Sequence, residues 1–431
     1  MATGSATAKR LKTDTENGED RLSVLPEELL HHILSFLPAR DVVKETSLLA
    51  RSWRNRWKTV PTLRIPKELG FKNAHAANKF VNYLVLLRGQ NPLREFEINF
   101  WHKDQTFGYL DMWIRYALSC NVQILRIINH ILSDFCPLPD MPLVSSHLTT
   151  VELCRVESDK PLLDFSTCPV LEVLKLSLSV LDATYISAPS VKHLSFSYCQ
   201  FFGDQRARIS APSLISFELV EYMGMTPFLD NMPLLVSATV KNNSSCVDHC
   251  KSGFEIGDCG NSSCQGCLGI KGEERKSVLL ESLSHALHLE LTSDTNMFIF
   301  RSDLTLCPVF GRLKTLIVDE WCTVANLHAL IYFLQHSPVL EKLTLLMREG
   351  QEDAVAKEAN YKWAEQSFAF KHFTVEVKCW KISERMKRNL KILMTCGVPA
   401  DQIKIHQSLE GDVCSLASLL NDEMGEPASR C

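Results

Sequence analysis

The chain has 431 residues, 45% of them hydrophobic and 22% charged, a globular balance that excludes a fibrous or wholly disordered protein. Its 46 Lys+Arg stand against 50 Asp+Glu, a net charge of −4. That lacks the basic excess of a nucleic-acid binder, so no nucleic-acid partner is expected, and with no apolar run near the ~18 residues of a spanning helix, no membrane partner is expected either.

Residues 1–20 are polar and mixed in charge, the composition of a disordered tail. They contain no apolar stretch of the kind that starts a secretory signal. A reducing compartment, nucleus and/or cytoplasm, is therefore the expected location. Lys9-Arg10-Leu11-Lys12 is a short basic cluster that suits either nuclear import or plain solvation.

Residues 21–60 predict three short helices. Pro26 sits at the first turn, and Glu27 and Glu28 suit the positive end of a helix dipole. Leu29, Leu30, Ile33, Leu34 and Leu37 follow at helical spacing. Pro38 ends that helix. Asp41 is the expected N-cap of a second helix carrying Val42, Val43 and Leu48. Trp53 and Trp57, four apart, share one face of a third. Pro26, Leu29, Ile33 and Leu37 make one stripe. Leu30 and Leu34 make a second, expected to face Val43, Leu48 and Trp57 inside the module. So much apolar surface on so small a unit needs cover from a neighbouring domain or a partner.

From about residue 90 a template recurs: apolar, two variable, apolar, one variable, apolar. Leu148/Val151/Leu153, Leu171/Leu174/Leu176, Val191/Leu194/Phe196, Leu214/Phe217/Leu219 and Leu235/Ala238/Val240 fit it. These copies start 20–23 residues apart, the spacing of leucine-rich repeats. Leu93/Phe96/Ile98, Val122/Leu125/Ile127, Leu313/Leu316/Val318 and Leu340/Leu343/Leu345 extend the series. Ser284/Leu287/Leu289 is a looser match. Each copy predicts a short strand whose last apolar pair points inward. One such unit cannot bury that pair alone, whereas a stack forms a continuous core. Residues 324–336 predict a helix on the opposite side of one repeat. The expected repeat domain is 90–350. A further helix within 383–397, with Met386, Leu390, Leu393 and Met394 as its apolar stripe and Gly397 just past its end, and a strand at 402–405 are expected to close its end, within a segment 365–407.

Sixteen cysteines are present. Eleven lie singly in apolar contexts, where a free thiol packs as a small hydrophobe. Five crowd between Cys246 and Cys267, inside an insertion at 242–277. Cys264 and Cys267 have the two-residue gap of one edge of a tetrahedral zinc site, and Cys246 and Cys250 are candidates for the other edge. The competing reading is a polar insertion with unligated thiols. No other cofactor is expected.

The stretch RLSVLPEELLHHILSFLPARDVVKETSLLARSWRNRW resembles a plant-type F-box, through Leu25-Pro26, the Leu29/Leu30/Ile33/Leu34 helix, Leu37-Pro38 and Trp53-Arg54. The Pro-preceded repeats are similar to those of plant F-box/leucine-rich-repeat proteins, and Phe370 to Ile405 resembles their C-terminal FBD-type region. The resemblance implies an α/β fold: a three-helix F-box, then a horseshoe of parallel strands with helical or irregular convex segments. It also implies a job. The F-box docks a Skp-type adaptor, which brings a cullin and a RING protein into a ubiquitin ligase, while the repeats hold a protein substrate. By that carry-over Leu25, Pro26, Leu29, Ile33 and Leu37 are the adaptor-facing set, with Trp53 holding or extending the surface. The alternative is a repeat scaffold without a ligase partner, its first helices serving as an N-terminal cap.

No phosphate-binding loop, nucleophile elbow or His-Glu-x-x-His motif occurs, so no enzymatic activity is expected. Lys175, Ser177, His193, Ser195, Glu218 and Thr239 are the strand positions expected on the concave face. They are small, polar and mixed in charge, which suits a protein surface better than a phosphate backbone.

Overall fold

A computed structural model describes residues 25–48, 53–66, 71–100, 107–139, 142–203, 205–248, 277–293, 299–322, 327–347, 373–380, 382–407 and 413–415. It opens with helix α1 (Glu27–Leu34), entered from Pro26, whose carbonyl accepts the Leu30 N–H. Helix α2 spans Ala39–Leu48. It starts two residues before Asp41, which therefore sits in the first turn instead of capping it. The third expected helix is a 3₁₀ turn at Arg56–Lys58. Leu30, Leu34, Val42, Trp53 and Trp57 are buried. Leu48, expected inside, is 71% exposed.

One fourteen-stranded sheet then runs the length of the described chain. Its strands are β1 (Thr62–Ile65), β2 (Glu95–Phe100), β3 (Ile124–Asn129), β4 (Thr150–Cys154), β5 (Val173–Ser177), β6 (His193–Ser197) and β7 (Ser216–Val220). They continue as β8 (Ser237–Lys241), β9 (His288–Thr292), β10 (Thr315–Asp319), β11 (Lys342–Met347), β12 (Thr374–Cys379), β13 (Ile403–Gln407) and β14 (Val413–Ser415). All neighbours pair in parallel except the last two. The parallel register stacks the template in two rows. Leu63, Phe96, Leu125, Val151 and Leu174 lie side by side, and the row continues to Ile403. Ile65, Ile98, Ile127, Leu153 and Leu176 form the second row. Both rows are buried, so each coil's apolar pair is covered by the pairs on either side.

Three boundaries differ from the sequence expectation. The sheet begins at β1, before residue 90, where Val60/Leu63/Ile65 also fits the template. At β9 the inward pair is Leu289 and Leu291, so the copy is Ala286/Leu289/Leu291, two residues later than Ser284/Leu287/Leu289. The first template position lies at the strand entry, where Ala suffices. The parallel sheet does not stop at residue 350; β12 and β13 extend it.

The far side of the solenoid also departs from expectation. In the central coils it is neither helical nor irregular but two further parallel ladders. One joins Cys136–Pro137, Val156–Ser158, Val180–Leu181, Gln200–Phe201 and Met223–Gly224; the other joins Leu162–Asp164, Tyr185–Ser187, Arg208–Ser210 and Phe228–Leu229. Helices occur where consecutive strands start further apart: α3 (Ala74–Arg88) and α4 (Leu110–Ser119) near the beginning, then α5 (Leu280–Leu283), α6 (Ile299–Asp303), α7 (His328–Gln335) and α8 (Glu384–Thr395). The reason is length. A 20–23-residue coil must close its circuit with extended chain, because a multi-turn helix advances only ~1.5 Å per residue. α8 forms where a helix is expected, and two features fix its ends. Ser383 accepts from the Met386 N–H, and Gly397 beyond the last turn has φ 101°.

Each central strand ends on a left-handed residue: Arg155, Leu178, Tyr198 and Glu221, at φ between 51° and 56°. This conformation costs a non-glycine residue about 1–2 kcal/mol. It aims each N–H at the next coil, where Ser177, Ser197, Val220 and Lys241 carbonyls accept at 2.8–2.9 Å. The strain thus recurs wherever it completes a ladder bond.

Candidate functional site

Two surfaces carry side chains that the core does not claim. The first is on α1. Leu30 and Leu34 point inward, leaving Leu29, Ile33 and Leu37 at 51%, 47% and 39% exposure on the opposite face, with Pro26 also exposed. Phe36 joins them at 65%, its ring edge-on to His32 at 4.9 Å. Sequence reasoning missed Phe36, although it stands three residues after Ile33 and seven after Leu29, the spacing that would have placed it on the stripe. Leu25 is half-buried and packs against the core. Trp53 is buried under the Arg56 guanidinium, 5.0 Å from the ring centroid, so it holds the module together and does not extend the surface.

This module shares one core with the repeats. Two arginines lock the join. Arg64 on β1 donates to the Ser35 carbonyl just past α1 (3.2 Å) and forms a bidentate pair with the buried Glu95 (3.0 Å). Buried Arg88, at the end of α3, donates to the Val60 carbonyl (3.0 Å) and to Pro92 (2.9 Å). The exposed stripe is thus held in a set orientation to the sheet.

The second surface is the open face of the sheet. Lys175, Ser195, Glu218 and Thr239 are directly in register across β5–β8 and form one row. His193 and Ser177 flank that row one step to either side along their strands. Lys175 reaches Glu152 at 3.6 Å, and the Ser195 hydroxyl donates to Glu218 at 3.0 Å. Toward β1 the row continues through Arg126, Glu97 and Arg64 as a chain of ion pairs. Glu95, two residues before Glu97 on β2, reaches both Arg64 and Arg126, and Arg126 pairs with Glu152 at 2.8 Å. Lys241–Glu290 (2.7 Å) and Lys342–Glu376 (2.8 Å) continue the pattern further on. The Lys342 ammonium holds the Glu376 carboxyl below its usual range. Charge on this face is therefore largely compensated across strands. The signal was available, because the residue between the last two apolar positions alternates in sign from Arg64 through Glu97, Arg126 and Glu152 to Lys175. The left-handed strand ends add a rim that no periodicity revealed: Leu178 and Tyr198 sit in neighbouring coils with large exposed side chains.

Of the proposed zinc donors, Cys250, Cys264 and Cys267 lie outside the described residues. Cys246 is buried beside the ladder that ends on Met223–Gly224, bridging to Gly224. Its Sγ lies 3.6 Å from Thr226 Oγ1 and 3.7 Å from both Tyr222 Oη and Asp248 Oδ2. Burial, then the nearby Asp248 carboxylate, push the thiol up. Asp248 accepts from Arg206 Nη1 (2.8 Å) and from the Thr226 N–H (2.7 Å), pinning the start of the insertion to the solenoid. Among the described residues no group of three or more His, Cys, Asp or Glu could hold a metal ion. No helix among them is long and apolar enough to cross a membrane.

The F-box domain model matches residues 22–64, the stretch that contains the α1 stripe. The chain is similar to F-box/LRR-repeat protein 25 of Arabidopsis thaliana, 32% identical over 190 residues, which cover 42% of this chain and 69% of that relative. The chain belongs to the plant F-box/leucine-rich-repeat family. This F-box protein also resembles two FBD-associated F-box proteins of the same plant. One is 32% identical over 194 residues, covering 45% of this chain and 38% of the relative. The other is 25% identical over 379 residues, covering 81% and 80%. For the first relatives the matched region spans between 38% and 61% of their own length. The F-box and repeat names fit the helical module and the parallel sheet, and the FBD names fit a C-terminal region that holds β12, α8 and β13.

Proposed function

We propose that this F-box protein is the substrate-recognition subunit of a Skp–cullin–F-box ubiquitin ligase. Pro26, Leu29, Ile33 and Leu37, with Phe36 beside them, dock a Skp-type adaptor, and through it the cullin and RING protein. The open face around Lys175, His193, Ser195 and Glu218, with Tyr198 on its rim, binds a protein substrate. The subunit does no chemistry of its own. The observation that supports this reading is the apolar stripe: Leu29 and Ile33 on an eight-residue helix, and Phe36 and Leu37 just past its end, stand exposed within the F-box match. Such a patch on a folded chain marks an interaction surface. Nothing in the stripe is needed by the core, since Leu30 and Leu34 already fill the inward face.

The test is co-precipitation of a plant Skp-type adaptor with wild type and with Leu29→Ala/Ile33→Ala. Truncating central interface anchors costs about 2 kcal/mol or more, roughly a 30-fold loss of affinity. Thermal unfolding should not change, because both side chains face solvent. Leu25→Ala is a poorer probe, as Leu25 also packs on the core. A wild-type protein that binds no adaptor leaves the scaffold reading, with the helices acting as a cap; unchanged binding by the double variant means the stripe is misassigned.

A further inference from the structure

Helices α3 and α4 precede β2 and β3, and a cleft of about 290 Å³ opens between α3 and the turn that leads into α4. Ala77, Val81 and Leu84 of α3 are buried in the core. The opposite stripe, His75, Lys79, Tyr83 and Leu86, advances by three or four and stands exposed along the cleft. Tyr109 makes the other wall. It ends an aromatic stack that starts in the core: the Phe100 and Trp113 ring centroids are 6.1 Å apart, and those of Trp113 and Tyr109 are 5.9 Å apart. The Trp113 Nε1–H donates to Asn82 Oδ1 at 2.8 Å and ties the two walls together. At the far end of α3 the Tyr116 hydroxyl donates to the Gly89 carbonyl at 2.9 Å. The cleft is therefore held open by contacts that its own walls make.

Its charge has one sign. α3 contains no Asp or Glu, and among the described residues no carboxylate lines the cleft, whereas His75 and Lys79 do. The nearby Asp111 is bonded to Arg115 at 2.7 Å. The Lys79 ammonium lies 6.0 Å from the Tyr83 ring centroid, the outer limit of a cation–π contact. Exposed apolar and aromatic side chains gathered in one patch mark an interaction surface, and tyrosines are frequent anchors of such surfaces. We infer that this cleft docks an acidic segment of a protein partner. An apolar side chain enters between Tyr83 and Tyr109 against Leu86, while a carboxylate pairs with Lys79 and accepts from the His75 ring. Lys79 and Leu86 are about 10 Å apart along the helix axis. An extended segment therefore reaches both when its acid and its apolar anchor are about three residues apart. A second copy of the chain is a poor occupant, since a stable dimer engages about 20–30 residues a side. A lipid surface takes up apolar groups that protrude, and here the tyrosines wall a cleft. The site is apart from both surfaces assigned above and does not rest on the adaptor reading.

The full chain is titrated into a fluorescent peptide, Gly-Asp-Asp-Ser-Ser-Leu-Phe-Gly, following anisotropy. A peptide with both Asp replaced by Asn and phosphatidylserine vesicles are measured beside it. The acidic peptide should bind saturably at one site, and the Asn peptide about tenfold more weakly, the loss of one charge-assisted contact. Lys79→Ala should weaken the acidic peptide by about tenfold and leave the Asn peptide unchanged. Tyr83→Ala/Leu86→Ala should weaken both peptides roughly 30-fold. All three side chains are exposed, so the melting temperature should hold and each variant reports on docking alone. No binding of the acidic peptide to wild type overturns the proposal, as does binding unchanged in Tyr83→Ala/Leu86→Ala. Equal affinity for the two peptides overturns the acidic assignment. Vesicle binding that the double variant loses, without peptide binding, overturns the proposal in favour of a lipid surface.

Discussion

The cysteines show how far burial alone sets a residue's chemistry. Cys136 and Cys199 are fully buried, and desolvation pushes their thiols up to about 12 and about 11. The reactive species is the thiolate, so at pH 8 only about one Cys136 in ten thousand is competent. Native protein treated with iodoacetamide at pH 8 should leave both residues unmodified by mass spectrometry, while denatured protein should be alkylated at both. Labelling of Cys136 in native protein at the denatured rate would mean that the central coils open far more readily than their packing implies. The same logic bears on Cys246. A zinc ligand must give up its proton, and a thiol held up by burial and by Asp248 is poorly placed to do so.

At the scale of the strand, the register assigns every side chain to one face or the other. Leu174 is fully buried, and its neighbour Lys175 has a side chain 56% exposed. Leu174→Asp should cost several kcal/mol by burying an unpaired carboxylate. Lys175→Ala loses only a surface ion pair and should stay within about 1 kcal/mol. Urea unfolding of the two variants checks the pairing, since a one-residue slip would exchange the two results. Gly224 is a sharper case. A Cβ there would lie 2.0 Å from the Phe201 carbonyl oxygen, and φ is +90°. Gly224→Ala should therefore destabilise by at least about 2 kcal/mol, with loss concentrated in the central coils by hydrogen exchange. A near-neutral result would show that the two coils can part without consequence.

Across the molecule, one core joins the F-box module, the repeats and the C-terminal coils. Arg64 and Arg88 fix the exposed stripe relative to the open face, so the adaptor and substrate sites of the proposed ligase subunit would keep one relative orientation. The Cys-rich insertion is anchored at both ends. Asp248 holds its start against Arg206; at its exit the Asp303 carboxylate accepts from the Val278, Leu279 and Leu280 N–H groups and the Ser277 hydroxyl. A structural zinc on Cys250, Cys264 and Cys267 remains a proposal, with Cys246 its weakest donor. Metal analysis of protein purified without chelator should find about one zinc per chain. Cys264→Ser/Cys267→Ser should release it without lowering the melting temperature of the coils, and Cys246→Ala should leave it bound. Metal-free wild type would end the proposal.

The phase of the repeats and the inward pair of each strand were legible in the chain, because a stacked sheet makes the same demand of every coil at the same positions. Leu174, Leu194 and Phe217 declare their burial through local spacing alone. So does the split of α1, where Leu30 and Leu34 part from Leu29 and Ile33 by helical geometry. What the spacing could not tell is how each coil closes behind the sheet. Whether residues 156–164 run extended or 110–119 coil into a helix depends on the neighbour each packs against. The ladders there exist only through contacts about 20 residues apart. The left-handed strand ends carry no glycine to announce them, and they persist because the next coil's carbonyl is waiting. The cleft is less legible still. Its walls, Tyr83 and Tyr109, stand in different coils, and a space between neighbours is a property of neither segment by itself.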